Sequence, residues 1–437
     1  MNKLFCNILI KNTSYLNEKL EVIRDINIII KDKYILEITK DSSNYNPESI
    51  IDGKNLLWMP GLTDSHMHTC QQLLKGKILD ELPMIWTRIM LPFESTLTKS
   101  KVNLSTKLSS LEMIKAGTTS FIDAGGIFMD EAAEIYIKSG LRGALSCSTM
   151  DNQNLPQSIR TTTQEALKNL NLLYNNFHNT GDERLQVFYS LRSLISCSEE
   201  LIKNVFSDAK EKNIPVEAHM NEYPNEINFF LEKYKCRPIE FLNRENLLND
   251  KFISAHSIFL SDNEIDILKE NNSNVVHCPF SNCGKGIPNT PSLLQKGINV
   301  CLGSDGAAHG GMSLFQEMKV FRSIMNLHYG VKSCNPSIMP AKTLLKMATE
   351  NGGITIQHNN LGVLKPNNLA DLIAIDLNQP HLSPTNNIVN TIVESVNGND
   401  VIHTIINGKI IMKNREVLTL DEEKILYEAK KHFIYNK

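Results

Sequence analysis

From Pro60 onward the chain repeats one pattern, in which a short apolar run is followed by a longer stretch with helical spacing. The apolar runs include GLTDSHMH, TTSFIDAG, LRGALSCSTMD, LQVFYSLRS, IPVEAHMNE, FISAHS, NVVHCP and INVCLGSDG. Between them lie segments such as LSTKLSSLEMIKAG, DEAAEIYIKSG, SEELIKNVFSDAKEKN and SDNEIDILKENN. Strands separated by helix-length segments pair in parallel, because a parallel neighbour is reached only through a crossover of about a dozen residues or more. About eight such units predict a (β/α)8 TIM barrel, and the fold class is therefore α/β. The ends differ. Residues 1–58 read as short alternating strands, beginning with Met1 to Lys11, and strand-like runs return after residue 361 before a last helix, DEEKILYEAKKHFI. The expected organisation is a small β-sandwich domain built from both chain ends, 1–58 and 362–437, around a barrel over 59–361.

Composition narrows the function classes. With 437 residues, 41% of them hydrophobic, the chain can bury a large core without disulfides. Its 45 basic and 48 acidic residues leave a net charge of −3, which argues against a nucleic-acid or membrane-surface partner. No apolar run approaches the ~20 residues that span a bilayer. Nine scattered cysteines, an odd number without a Cys-x-x-Cys pair, suit reduced thiols and a cytoplasmic location.

The densest chemical signal is Asp64-Ser65-His66-Met67-His68. In a strand, residues i and i+2 share a face, so His66 and His68 project together at the strand end where barrel enzymes place their sites. Two solvent-facing histidines would give the same pattern, so the pair alone is weak. Three further strand runs end in His219, His256 and His277, and a fourth ends in Asp305, each about one βα unit from the last. Imidazole and carboxylate groups brought to one barrel rim can share a divalent cation. Glu222 follows His219 by three residues. As isolated residues, Glu222 would be an exposed loop carboxylate and His256 a packed strand-end histidine.

PGLTDSHMH, HMNE, SAHSIFLSDNEI, HCPFSN and LGSDGAA together resemble the amidohydrolase superfamily, in the branch of aminohydrolases acting on nucleosides, nucleobases and triazines. The resemblance spans nearly the whole chain and is nearest to the methylthioadenosine/S-adenosylhomocysteine deaminase group, with guanine deaminase and chlorohydrolase relatives close behind. It implies that His66, His68, His219 and Asp305 hold one divalent metal, Zn2+ with Fe2+ as the other ion such ligands accept. It further implies that Asp305 accepts a proton from water, that Glu222 protonates a ring nitrogen, and that His256 hydrogen-bonds the attacking oxygen while ammonia leaves. Binuclear relatives use a lysine on the fourth strand. That strand reads here as Leu185 to Ser193 and has none, so a single metal is expected.

The implied substrate is a small aminated heterocycle, with an adenosine-type nucleoside leading, a guanine- or pterin-type base second and a triazine third. Glu94, in Leu91-Pro92-Phe93-Glu94, resembles a ribose-binding glutamate, and a carboxylate can accept two hydrogen bonds from a diol. Gln71 and Arg160 match substrate-binding positions of relatives, and Arg192 before SCSE is similar to an arginine that contacts the purine in guanine deaminase. His309 follows Asp305 on a loop that can reach substrate. Trp86 and Phe93 are candidates to cover the site. For His277, a pocket-lining role and a satisfied core group both stay open. The resemblance also leaves a homodimer open, since such relatives often form dimers. A reading from another class is a catalytically silent ligand-binding barrel, which would retain the histidines and dispense with Glu222 or Asp305. Both are present.

Overall fold

The computed structural model describes residues 3–82 and 84–434, apart from the side chains of 432–434. The N-terminal segment forms β1 (Leu4–Leu16), β2 (Val22–Lys31), β3 (Tyr34–Thr39), β4 (Tyr45–Asp52) and β5 (Leu56–Pro60). The C-terminal segment supplies β15 (Leu372–Asp376), β16 (Val401–Ile406), β17 (Lys409–Lys413) and β18 (Glu416–Val417). All nine belong to one sheet, ordered β18-β17-β16-β15-β5-β1-β2-β3, with β4 on β1. The two ends meet where β15 runs antiparallel to β5, Ile373 opposite Met59. Ile8, Ile28, Ile30, Ile51, Trp58, Leu372 and Ile405 bury a common apolar core drawn from both ends.

Two elements of the ends were not visible as sequence patterns. YNPESIID carries a proline and few apolar residues, yet it forms β4, which among the described residues pairs only with β1 and so sits where a strand tolerates proline. The C-terminal β-rich stretch also contains a short helix, Ile388–Glu394.

Between these ends lie β6 (Leu62–Met67), β7 (Thr118–Gly126), β8 (Arg142–Cys147), β9 (Leu185–Val187), β10 (Tyr189–Leu191), β11 (Val216–Met220), β12 (Phe252–His256), β13 (Asn274–His277) and β14 (Asn299–Leu302). They pair in parallel as two arcs, β6-β7-β8-β9 and β10-β11-β12-β13-β14. Strands β9 and β10 are one run interrupted at Phe188, whose N–H donates to the Leu145 carbonyl at 3.1 Å. The far edges approach one another too, where the Asp305 N–H donates to the His66 carbonyl at 3.0 Å. Ile122, Ala144, Ile253, Val276 and Cys301, from strands of both arcs, pack with Phe188 of the β9–β10 junction into one buried cluster. Strands buried on both faces read as continuous apolar runs, which is why these segments stood out in the sequence. Among the described residues, no helix is long and apolar enough to cross a membrane.

A buried ion pair ties the parallel strands to the terminal sheet. Arg142, at the start of β8, donates Nε and Nη2 to the Asp371 carboxylate at 2.7 and 3.1 Å, and Nη2 also to Asn407 Oδ1 at 2.8 Å. Removing one partner of a buried pair strands the other charge, at a cost of about 3–5 kcal/mol. Arg142→Ala is therefore expected to lower unfolding stability by about that amount in equilibrium denaturation. Replacing both partners, Arg142→Met with Asp371→Leu, should recover most of the loss.

Candidate metal centre and substrate cavity

Four buried side chains from three strand ends converge on one point. One ligand atom from each of His66, His68, His219 and Asp305 lies within 4.8 Å of all the others. His68 Nε2 stands 3.0 Å from His219 Nε2, and Asp305 Oδ1 stands 3.4 Å from His66 Nε2 and 3.5 Å from His68 Nε2. The local sequence explains the approach. A Cβ on Gly303 would come within 2.6 Å of the His66 carbonyl oxygen, and one on Gly306, at φ +80°, within 2.8 Å of the His68 carbonyl oxygen. The two glycines of LGSDG let the end of β14 lie against the His-x-His backbone. Ser304 then locks the two segments, donating its N–H and hydroxyl to the Asp64 carboxylate at 2.9 and 2.6 Å.

Hydrogen bonds on the far side of the rings prepare the cluster for a cation. His66 Nδ1 pairs with Glu217 Oε1 at 2.5 Å, and His68 Nδ1 with the Gly125 carbonyl at 3.3 Å. Each holds a proton on Nδ1 and aims Nε2 inward, the orientation typical of metal-bound histidine. His66 Nε2 is buried without a hydrogen-bond partner. Burial, with the neighbouring charges of His66 and Arg192 among its causes, holds His68 and His219 well below the ordinary imidazole range, so both are neutral. Asp305 is held well below the usual carboxylate range: burial opposes its charge, but His256, His309 and His66 prevail. Three imidazoles and one carboxylate so arranged fit a single divalent metal of the zinc type.

Glu222 and His256 lie beside the cluster, with His256 Nε2 3.7 Å from Glu222 Oε1. His256 adopts φ +65° and Asp305 φ +58°, left-handed conformations uncommon outside glycine and frequent at functional sites. His256 Nδ1 meets Asn282 Oδ1 at 3.1 Å, and burial lowers its pKa to about 4. Asn221, between His219 and Glu222, is anchored by Nδ2 contacts of 3.0 Å to both oxygens of buried Glu264. Glu264 in turn completes a capping box with Ser261 on the helix Asp262–Glu270.

A cavity adjoins the centre and is lined by His68, His219, Asp305, Glu222, His309, Gln71, Arg192 and Trp86, among others. His309 Nε2 lies 3.3 Å from Asp305 Oδ2. Three sequence expectations change. Glu94 does not line the cavity: its carboxylate is buried behind Arg192, which donates Nη2 to Oε1 at 2.9 Å and Nη1 to Oε2 at 3.3 Å, while Gln71 Nε2 donates to Oε1 at 2.9 Å. Arg160 is exposed and donates to the Gln153 carbonyl at 3.0 Å, away from the cavity, because its loop turns outward. Phe93 packs into the core instead of covering the site. His277 is buried outside the cavity lining, Nδ1 paired with the His256 carbonyl at 2.8 Å and Nε2 without a hydrogen-bond partner.

Sequence reasoning missed Glu217 and Lys285. The signal for Glu217 was present, since in IPVEAHMNE it shares a strand face with His219. Lys285 lies in the irregular SNCGKG loop, where spacing carries no directional information, yet its side chain lines the cavity.

The strand-end donor cluster beside this cavity defines a metal-dependent hydrolase site. The chain belongs to the amidohydrolase family, whose model matches residues 57–411. It is 33% identical over 431 residues to the 5'-deoxyadenosine deaminase of Methanosphaera stadtmanae, covering 97% of each chain. It is 34% identical over 432 residues to a 5-methylthioadenosine/S-adenosylhomocysteine deaminase of Dictyoglomus thermophilum, covering 94% of this chain and 97% of that one. Its fold matches a zinc-bound adenosine deaminase from Xanthomonas campestris at a TM-score of 0.91 and 22% identity, covering 98% of both chains.

Metal uptake should depend on pH. Burial disfavours the charged form of His66, but Glu217 and Asp305 outweigh it and raise its pKa to about 10 without a metal. His66 must then lose a proton on binding, so apparent zinc affinity should rise with pH across the range below that value. Chelator competition at several pH values measures this. Glu217→Gln should flatten the dependence.

Proposed function

We propose that this protein is a hydrolytic deaminase that releases ammonia from an aminated purine, foremost an adenosine-type nucleoside. The observation that carries the reading is the placement of Glu222 and His256 beside the His66, His68, His219 and Asp305 cluster. The names of the two deaminase relatives support the substrate class.

A divalent cation held by His66, His68, His219 and Asp305 would supply the Lewis acidity that makes water nucleophilic near neutral pH. Asp305, kept ionised, would accept the proton of the attacking water. His256 carries its proton on Nδ1, held toward Asn282, so its Nε2 is an acceptor that orients the attacking water. Glu222, carrying a proton when substrate binds, gives it to a ring nitrogen and makes the amine-bearing carbon electrophilic; the proton taken up by Asp305 passes to the amine, which leaves as ammonia, and the hydroxyl proton of the adduct returns to Glu222. Arg192 presents its remaining N–H groups and Gln71 its unpartnered Oε1 to the heterocycle, and Glu94 orients both from behind. His309 holds Asp305 and faces the substrate.

A second reading, a guanine- or pterin-type base as substrate, is favoured by Arg192 standing where it screens the Glu94 carboxylate from the cavity. A guanidinium fork recognises ring nitrogens and carbonyls. Ammonia release from 5'-deoxyadenosine, methylthioadenosine and adenosine, set against guanine and pterin, separates the two. Higher kcat/KM on the nucleosides is expected. Preference for a free base would transfer the assignment, and no release from any would sink it.

We further infer that the two parallel arcs close into an eight-stranded barrel, with β9 and β10 as one staggered strand. The terminal sheet would form the companion β-sandwich, with domain limits of 1–58, 59–361 and 362–437. The contacts across both seams and the shared inner cluster support this. Nine free cysteines support a reducing, cytoplasmic setting.

Glu222→Gln should retain zinc by elemental analysis and lose ~10²–10⁴ in kcat. Asp305→Ala should lose both turnover and most of the metal.

A further inference from the structure

We propose that Lys285 is a positioning residue that holds Glu222 and, through Ser281, Asp305 in fixed relation to one another. It rests on the deaminase reading for its catalytic meaning and on geometry for its structural one. The Lys285 side chain is only 6% exposed, and Nζ donates to Glu222 Oε1 at 2.6 Å and to Ser281 Oγ at 2.6 Å. Ser281 passes the link on, its hydroxyl donating to Asp305 Oδ2 at 2.5 Å. A continuous chain of hydrogen bonds therefore joins the two carboxylates assigned to move protons, with one ammonium at its centre.

The surroundings leave Lys285 little freedom. Its backbone is fixed by N–H donation from Lys285 and Gly286 to the Asn282 carbonyl, at 2.8 and 3.0 Å. The preceding turn is tied down by Phe280 N–H donating to buried Glu317 at 3.0 Å. Nζ lies 5.5 Å from the centre of the Tyr223 ring, which adds a favourable cation–π contact. Asn282, from the same turn, holds His256. The segment after β13 thus sets the orientation of the acid, the water-orienting histidine and one metal ligand together.

A buried carboxylate without a cation is costly and turns toward whatever donor it can reach. Without Lys285, Glu222 is expected to leave its place beside His256. A misplacement of about an ångström costs on the order of 10²-fold in rate. The test uses the zinc-loaded full chain as wild type, Lys285→Met and Lys285→Arg, with crystal structures, zinc content and steady-state kinetics for each. In Lys285→Met, Glu222 should move away from its present 3.7 Å approach to His256, with zinc content unchanged. Its kcat should fall by roughly 10²-fold while KM changes little. Lys285→Arg should restore the Glu222 position and part of kcat, and it carries the test if the methionine variant does not fold. Glu222 staying in place in Lys285→Met, or an arginine variant no better than methionine, would overturn the proposal. Wild-type protein inactive on every aminated heterocycle would defeat the deaminase reading alone, because the position of Glu222 decides the role of Lys285 independently.

Discussion

Three imidazoles and a carboxylate buried together hold one arrangement only when each proton has an assigned place. The rest of the site depends on that constraint. Glu217 and the Gly125 carbonyl claim the outer nitrogens of His66 and His68, so the inner nitrogens face a common point. Burial keeps His68 and His219 neutral, and neighbouring imidazoles keep Asp305 ionised. A cation is the natural complement to such a set, since it converts mutual repulsion into shared coordination.

The backbone accepts real strain to make this possible. Asn221, His256, Ser257 and Asp305 all have positive φ, and each lies at or just past the end of β11, β12 or β14. Such conformations persist only where the surroundings over-determine them. Here the surroundings are specific: Glu264 pins Asn221, Asn282 pins His256, and Ser281 with His309 pins Asp305. The Arg142–Asp371 pair performs a comparable service at the other end of the strands, where it joins them to the terminal sheet.

Much of the site was legible because strand period and crossover length are local properties. His66 with His68, and the strand-end positions of His219, His256 and Asp305, follow from a period of two and a repeat of about one βα unit. Glu94 was legible as a candidate site glutamate but not in its placement, because its partner Arg192 arrives from a distant strand and takes both carboxylate oxygens. Arg160 was misplaced for a related reason: an irregular loop gives no period from which to tell inward from outward. β4 escaped notice because its stability comes from pairing with β1 and not from its own composition.

The sequence by itself determined the parallel architecture, the donor types and the strand ends that carry them, since these follow from side-chain alternation and from the length of chain needed to return to a parallel neighbour. Only the tertiary structure decided that Lys285 faces Glu222, that Glu217 backs His66 and that Arg192 screens Glu94. Those pairings join rim loops and strands far apart in the chain, and the packing of the whole strand assembly, not any local spacing, sets the distance between them.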